Sequence, residues 1–192
     1  MIGEVLVFLR DRLNVYIQAT SGAPTPDAAE DQVLLIDGEK MDPIEFRLGA
    51  ITALLVNIEQ ETTQRNPDPY RATAADGTPQ RVQPDVRLNL YVLFVSRYKV
   101  YEQGLDGLSK VIRCFQTHRV FDHDNAPTLS TSIEKLVLEL VTLPLSEQNE
   151  IWSALRVSYH PSVLYRVRMI VFRDGAGTAV PQVGSMELRL SQ

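Results

Sequence analysis

The stretch PDVRLNLYVLF, residues 84–94, decides the fold of this chain. Its first half alternates apolar residues such as Val86 with polar residues such as Arg87, and its second half is apolar at almost every position. Alternation with a period of two is typical of a β-strand. A strand that is apolar on both sides needs cover on both faces of its sheet. We therefore predict a strand over residues 86–94 whose second half is central in the sheet.

Two amphipathic helices are predicted on either side of this strand in the sequence. Apolar residues recur at spacings of three and four over residues 2–17 and over residues 98–115, which is the spacing of one helix face. The second helix contains Gly104 and Gly107, and each glycine costs about 1 kcal/mol in a helix interior. Packing against the rest of the protein must therefore hold this helix. A third, short helix is expected to begin near Ser146, whose hydroxyl can cap free amide groups.

The other predicted strands are short apolar or alternating runs bounded by turn residues. They cover residues 33–36, 48–61, 133–141, 163–172 and 186–190. Within 48–61, the run at 53–55 keeps a helix possible. Within 133–141, Lys135 and Glu139 alternate with Leu136, Leu138 and Leu140, so this strand is expected to have one wet face. With 192 residues, the chain has the length of one compact domain, so we expect a single domain over residues 1–192.

Three segments are predicted to be loops. Residues 21–31 contain two prolines and a glycine, and residues 62–84 contain four prolines, a glycine and many polar groups. Such segments bury too little apolar surface to offset the entropy of ordering them. We expect a mobile loop at about residues 62–85, which is the first candidate for ordering on contact with a partner, and a flexible tail at about residues 174–192.

Composition excludes several functional classes. The chain has 19 Lys and Arg against 24 Asp and Glu, a net charge of -5, and no basic cluster, which argues against nucleic acid as a partner. The longest uncharged apolar stretch, residues 48–58, is far shorter than the roughly 20 residues that span a bilayer. The apolar run at the start contains Glu4 and Arg10 and lacks a basic region before it, so no signal peptide and no membrane contact are predicted.

The sequence contains no recognisable group of catalytic or metal-binding residues. His118, Asp122, His123 and Asp124 could in principle hold a divalent ion, but their spacing matches no zinc or calcium signature, and a helix end followed by a turn explains them better. Cys114 lies in an apolar helical run, where a cysteine is usually a small buried hydrophobe rather than a nucleophile. We therefore predict no catalytic, cofactor-binding or metal-binding residue.

Two features leave alternatives open. Arg166 and Arg168 share one strand face, where they could pair with carboxylates of a neighbouring subunit or only solvate an exposed face. Trp152 can belong to the core or anchor an interface, and the core is the better interpretation.

Several strings together resemble one protein family. They are residues 2–17, the strand at 84–94, the predicted helix at 101–121 ending in FQTHRVF, and residues 151–165, which begin IWSAL and end YHPSVLY. The chain resembles the tail-terminator or cap proteins of extracellular contractile injection systems, phage-tail-like particles such as antifeeding prophages and Photorhabdus virulence cassettes. The resemblance extends from residue 1 to about residue 173.

This resemblance implies a structural role and a fold. The implied fold is α+β, a mixed, mainly antiparallel sheet flanked by helices, similar to the tail terminators of contractile phages. The implied function is a cap in which six copies form a ring that closes the distal end of the tube and sheath. It also implies a protein made in the bacterial cytoplasm and assembled into a particle that can be released. The alternatives are a related tail-completion or adaptor protein and a small hydrolase or metal enzyme around Cys114, His118 and Asp122.

Contact residues follow from this role as expectations. The loop at residues 66–84 is expected to be ordered by a partner, and the segment 180–192 to add a strand to a sheath subunit. Arg166 and Arg168 are expected to lie at the subunit interface. The residues expected to make these contacts are Asn66, Pro67, Tyr70, Arg71, Arg81, Arg166, Arg168, Met186, Leu188 and Leu190.

Overall fold

The central strand of the sheet is the one predicted from residues 86–94. The computed structural model describes residues 1–20, 32–40, 43–62, 71–73, 79–81, 86–172 and 178–179. The helices are α1 (Ile2–Thr20), α2 (Tyr101–Thr117) and α3 (Leu145–Leu155), with a 3-10 helix at Gly38–Lys40. The strands are β1 (Val33–Leu35), β2 (Ala50–Gln60), β3 (Arg71–Thr73), β4 (Pro79–Arg81), β5 (Val86–Arg97), β6 (Val120–Asp122), β7 (Lys135–Val141), β8 (Ser162–Phe172) and β9 (Thr178–Ala179).

Six of these strands form one sheet in the order β1-β2-β5-β8-β7-β6. The pair β1–β2 is parallel, and the other four pairs are antiparallel. The predicted α+β class with a mixed, mainly antiparallel sheet is therefore confirmed. The predicted central position of β5 is confirmed as well, because two strands lie on one side of it and three on the other.

The helices cover both faces of the sheet, as the apolar second half of β5 requires. Leu90, Val92 and Phe94 pack on one face with α1 and α2. Leu93 and Val95 pack on the opposite face, in a second cluster that includes Trp152 of α3. We call these the α1/α2 face and the α3 face.

The two glycines in α2 let this helix approach the sheet closely. A Cβ on Gly104 would lie 2.9 Å from Ser96 Oγ, and a Cβ on Gly107 would lie 3.1 Å from Ile51 Cδ1. The Ser96 hydroxyl donates a hydrogen bond to the Gly104 carbonyl, 2.9 Å away. Packing against the sheet thus holds the helix despite its glycines, as predicted.

Helix α3 confirms one prediction and corrects another. Trp152 is buried in the core, edge-on to Phe46 with ring centroids 6.1 Å apart. The expected Ser146 cap is wrong, since the residue before the helix is Pro144 and no side chain caps this end. Ser146 lies inside the first turn because Leu145 already has helical geometry.

Within the predicted loop at about 62–85, the structure contains strands that the prediction lacked. Strands β3 and β4 pair antiparallel, and β4 also pairs with β9 from the predicted tail at about 174–192. Backbone hydrogen bonds, which need no apolar side chains, explain why composition did not predict these strands. The rest of this loop, the predicted loop at 21–31 and the predicted strand at 186–190 lie outside the described residues.

Candidate functional site

The α3 face carries a charged cluster where β7 and β8 extend beyond the helix. Arg166 and Arg168 of β8 both bond to Glu139 of β7, on separate oxygens. Arg166 Nε and Nη2 donate to Glu139 Oε2 at 3.1 and 2.5 Å, and Arg168 Nη1 donates to Oε1 at 2.9 Å. Alternation along the two strands brings the three side chains to one face, because Glu139 is the register partner of Arg166.

The ionisation of this cluster follows from the pairing. Burial raises the pKa of Glu139, but the hydrogen bonds and charges of the two guanidinium groups outweigh burial, so the net pKa lies below its usual value. The hydrogen bond to Glu139 in turn raises the pKa of Arg166. The cluster is therefore a fixed ion-pair network near neutral pH.

A second carboxylate, from Glu61 immediately after β2, extends the network across β5. Arg168 Nη2 lies 3.6 Å from Glu61 Oε2, and Asn89 Nδ2 donates to the same oxygen at 3.1 Å. Nearby, the Tyr91 hydroxyl donates to Glu59 Oε2 at 2.8 Å. Burial, reinforced by that carboxylate, raises the pKa of Tyr91. We call the set Glu61, Asn89, Glu139, Arg166 and Arg168 the arginine network.

The carboxylates that the two arginines contact belong to their own chain. The sequence pointed to Arg166 and Arg168 as candidate contact residues. It did not identify Glu61 and Glu139 as the carboxylates that pair with them. The alternation of β7 assigned Glu139 to a wet face, and strand order was needed to bring it beside β8. The place of the arginines in a subunit interface stays a prediction.

Arg71 and Arg81 are brought together by the β3–β4 pair, in which they are register partners. Arg81 is exposed. The other residues expected to make contacts lie outside the described residues: Asn66, Pro67, Tyr70, Met186, Leu188 and Leu190.

A groove lies on the α1/α2 face between α2 and β7. It has a volume of about 590 Å³. Ile112, Phe115 and Gln116 line it from the helix, and Leu138, Leu140 and Tyr165 from the sheet. Leu140 is 51% exposed, although Leu138, two residues earlier on the same face of β7, is buried. Sequence reasoning missed this groove, because the alternation of β7 does not reveal where α2 ends.

The candidate catalytic and metal residues have other partners. Cys114 is 2% exposed, and burial raises its pKa to about 11. The ring of His118 stacks on Phe121, with its Nδ1 3.3 Å from the Cys114 carbonyl oxygen. The Asp122 carboxylate accepts hydrogen bonds from the backbone N–H groups of Asp124 and Asn125, which closes a turn. Among the described residues, no group of three or more His, Cys, Asp or Glu side chains could hold a metal ion.

None of the helices in the described part of the chain is both long and apolar enough to cross a membrane.

Comparison with known proteins matches the chain to a family model and to solved structures from contractile injection systems. The model of the Pvc16 N-terminal domain family matches residues 4–185. The chain is similar over 100% of its length to a PVC sheath/tube terminator of an extracellular contractile injection system in the extended state, with 16% identity and a TM-score of 0.62. It spans 64% of that terminator chain. It is also similar to an anti-feeding prophage cap, described as a tube-terminating cap. This match covers 73% of the present chain and 48% of the cap chain, with 14% identity and a TM-score of 0.49. No curated protein sequence matches the chain.

Proposed function

The chain belongs to the Pvc16 N-terminal domain family, and we propose on that premise that it is the structural cap of an extracellular contractile injection system. In this role it closes the distal end of the inner tube and sheath, ends their polymerisation and holds the sheath extended. The observation that carries the proposal is the family match over residues 4–185. Its fold, which is also that of a PVC sheath/tube terminator, agrees with this role.

Six copies form a ring in this proposal, with tube and sheath proteins as the partners. A ring of identical subunits needs two different, complementary surfaces on each copy. The chain offers two candidates on opposite faces of the sheet, the arginine network and the groove between α2 and β7. Arg166 and Arg168 keep 36% and 27% of their side chains exposed while they bind Glu139, so they retain surface for a subunit contact.

The segment around β3 and β4 is the proposed contact with tube or sheath. Its two arginines, Arg71 and Arg81, are register partners in this strand pair, and two cationic residues suit an acidic partner surface. The proposed contact residues in this segment are Asn66, Pro67, Tyr70, Arg71 and Arg81.

This cap acts without chemistry of its own and needs no cofactor, nucleic acid or membrane. Burial of Cys114 and its raised pKa disfavour a thiol nucleophile, because the thiolate is the reactive form. A related completion or adaptor protein would share the fold and the ring but join other components. We place synthesis in the bacterial cytoplasm, followed by assembly into a particle that can be released.

Native mass spectrometry of the purified chain, alone and with tube polymers, tests the ring. The proposal predicts a six-copy species in at least one of these samples. Arg166→Gln should weaken that species, whereas Arg113→Gln, which neutralises an exposed arginine on α2, should not. A chain that stays monomeric with tube and sheath present would contradict the proposal.

A further inference from the structure

One edge of the six-stranded sheet is sealed, and the other is partly open. At the sealed edge, the Asn14 side chain bonds to both backbone groups of Val33 in β1. At the other edge, β6 pairs with β7 through residues 135–137, and the Leu138 N–H donates to the Arg119 carbonyl. Alternate residues of a strand point their N–H groups the same way, so the Leu140 N–H points past the end of β6. The described residues offer no strand that pairs with Leu140 on that side.

The open edge adjoins an apolar groove. Leu140 lies on the α1/α2 face beside its register partner Tyr165, and Ile112 of α2 lines the same groove. Exposed edges are normally protected by charged residues, prolines or covering segments. An uncovered edge with an exposed leucine is therefore a place where an extended segment can add a strand and insert alternate side chains into the groove.

Residues 186–190 of this chain have the sequence that such a site requires. Met186, Leu188 and Leu190 alternate with Glu187 and Arg189, so a strand here has one apolar face and one charged face. With the apolar face in the groove, Glu187 and Arg189 fall on the α3 face beside the arginine network. In an antiparallel register with Leu188 opposite Leu140, Arg189 is opposite Glu139, a residue of opposite charge.

We infer that residues 186–190 of one copy add a strand to the open β7 edge of the neighbouring copy. This inference rests on the proposed ring and gives it a specific contact. Leu140 pairs with Tyr165, whereas β8 continues to Phe172, about 23 Å further along the sheet at roughly 3.3 Å per residue. β8 therefore runs away from Leu140 of its own chain. A contact between two different surfaces is head-to-tail, and such a contact forms a ring when the rotation between copies closes.

Cysteine cross-linking of full-length chains tests this contact. A Leu140→Cys chain is mixed with Met186→Cys, Leu188→Cys or Leu190→Cys chains and oxidised. Opposite residues on one face of paired strands are close enough for a disulfide, so at least one of these mixtures should give a covalent dimer. The matched control, Glu187→Cys, lies on the other face of the donor strand and should give at least about tenfold less dimer at the same concentration.

A Leu140→Asp variant adds an independent measurement. The charge at the acceptor edge should weaken self-association at least about tenfold, which corresponds to about 1.4 kcal/mol. Leu145→Asp is the control, because Leu145 is 84% exposed and does not line the groove. Thermal unfolding of both variants should match the unchanged chain, since both leucines are largely exposed.

The outcomes separate this contact from the cap function. Three results would overturn the inference and leave the cap proposal standing. They are intact rings without cross-links, a cross-link that forms only within one chain carrying both cysteines, and cross-linking of the Leu140→Cys edge to sheath protein alone. Cross-linked dimers from a chain that never caps tubes would support the contact and refute the cap.

Discussion

The side-chain amide of Asn14 makes both backbone hydrogen bonds that β1 leaves open at Val33. Asn14 Nδ2 donates to the Val33 carbonyl at 2.9 Å, and the Val33 N–H donates to Asn14 Oδ1 at 2.8 Å. Asn14 is 6% exposed, so both bonds are shielded from water. One residue thus fastens α1 to the sheet and occupies the outward backbone groups of Val33, so an added strand could not pair with β1 at that position.

Asn14→Ala should destabilise the fold by about 2–4 kcal/mol, because it leaves a buried N–H and a buried C=O without partners. Urea unfolding measures the loss. Asn57→Ala is the matched control: Asn57 also bonds to backbone, at the Ile58 N–H, but is exposed, so its loss should stay within about 1 kcal/mol. Equal effects of the two substitutions would refute the sealing role of Asn14.

Gly104→Ala should destabilise the fold, although alanine favours a helix by about 1 kcal/mol. The new Cβ would displace the Ser96 hydroxyl from its bond to the Gly104 carbonyl, and we expect a net loss of about 1–2 kcal/mol. Gly107→Ala meets a movable methyl group of Ile51 and should change stability by less than about 1 kcal/mol. Thermal or urea unfolding of both variants checks the order, and a stabilised Gly104→Ala chain would contradict the close approach.

Glu139→Gln should cost stability at neutral pH and little at low pH. The folded-state pKa of Glu139 lies below the unfolded value of 4.5, so the unfolded chain takes up the proton first as pH falls. Its contribution is complete above about pH 4.5 and is lost as pH falls through the folded-state pKa. The free energies of unfolding of the two proteins should differ by about 1–2 kcal/mol at pH 7, and this difference should shrink as pH falls below about 4.5. A constant difference would contradict the network.

The thiol of Cys114 should not react with a thiol reagent at pH 8 while the chain is folded. Burial excludes the reagent and raises the thiol pKa to about 11, which leaves very little thiolate. The same reagent should label the unfolded chain at the rate of an ordinary cysteine. Rapid labelling of the folded chain would reopen a chemical role for this residue.

Periodicity predicted the main elements of the fold but not the contacts between them. The alternation around Val86 identified the central strand, and the spacing of apolar residues gave α1 and α2 within a few residues. Asn14 falls outside the apolar spacing of α1, and its partner Val33 is 19 residues away in sequence, so periodicity gives no sign of their hydrogen bonds. The β3–β4 pair was missed because its stability comes from backbone bonds, not from an apolar pattern.

In the candidate site too, the sequence predicted residues within one strand but not their contacts with other parts of the chain. The pair Arg166 and Arg168 was identified from its spacing in one strand, whereas Glu61 and Glu139 come from other strands and joined it through strand order. Leu140 belongs to the apolar side in the alternation of β7, but the structure leaves it 51% exposed, because β6 pairs with β7 only through residues 135–137.

Electron microscopy of particles assembled with and without this protein tests the proposed cap most directly. With the protein, particles should have one narrow length distribution, extended sheaths and a ring at the distal end. Without it, lengths should spread widely, and sheaths should contract or detach. Particles of uniform length with extended sheaths in its absence would contradict the proposal that this chain closes the tube.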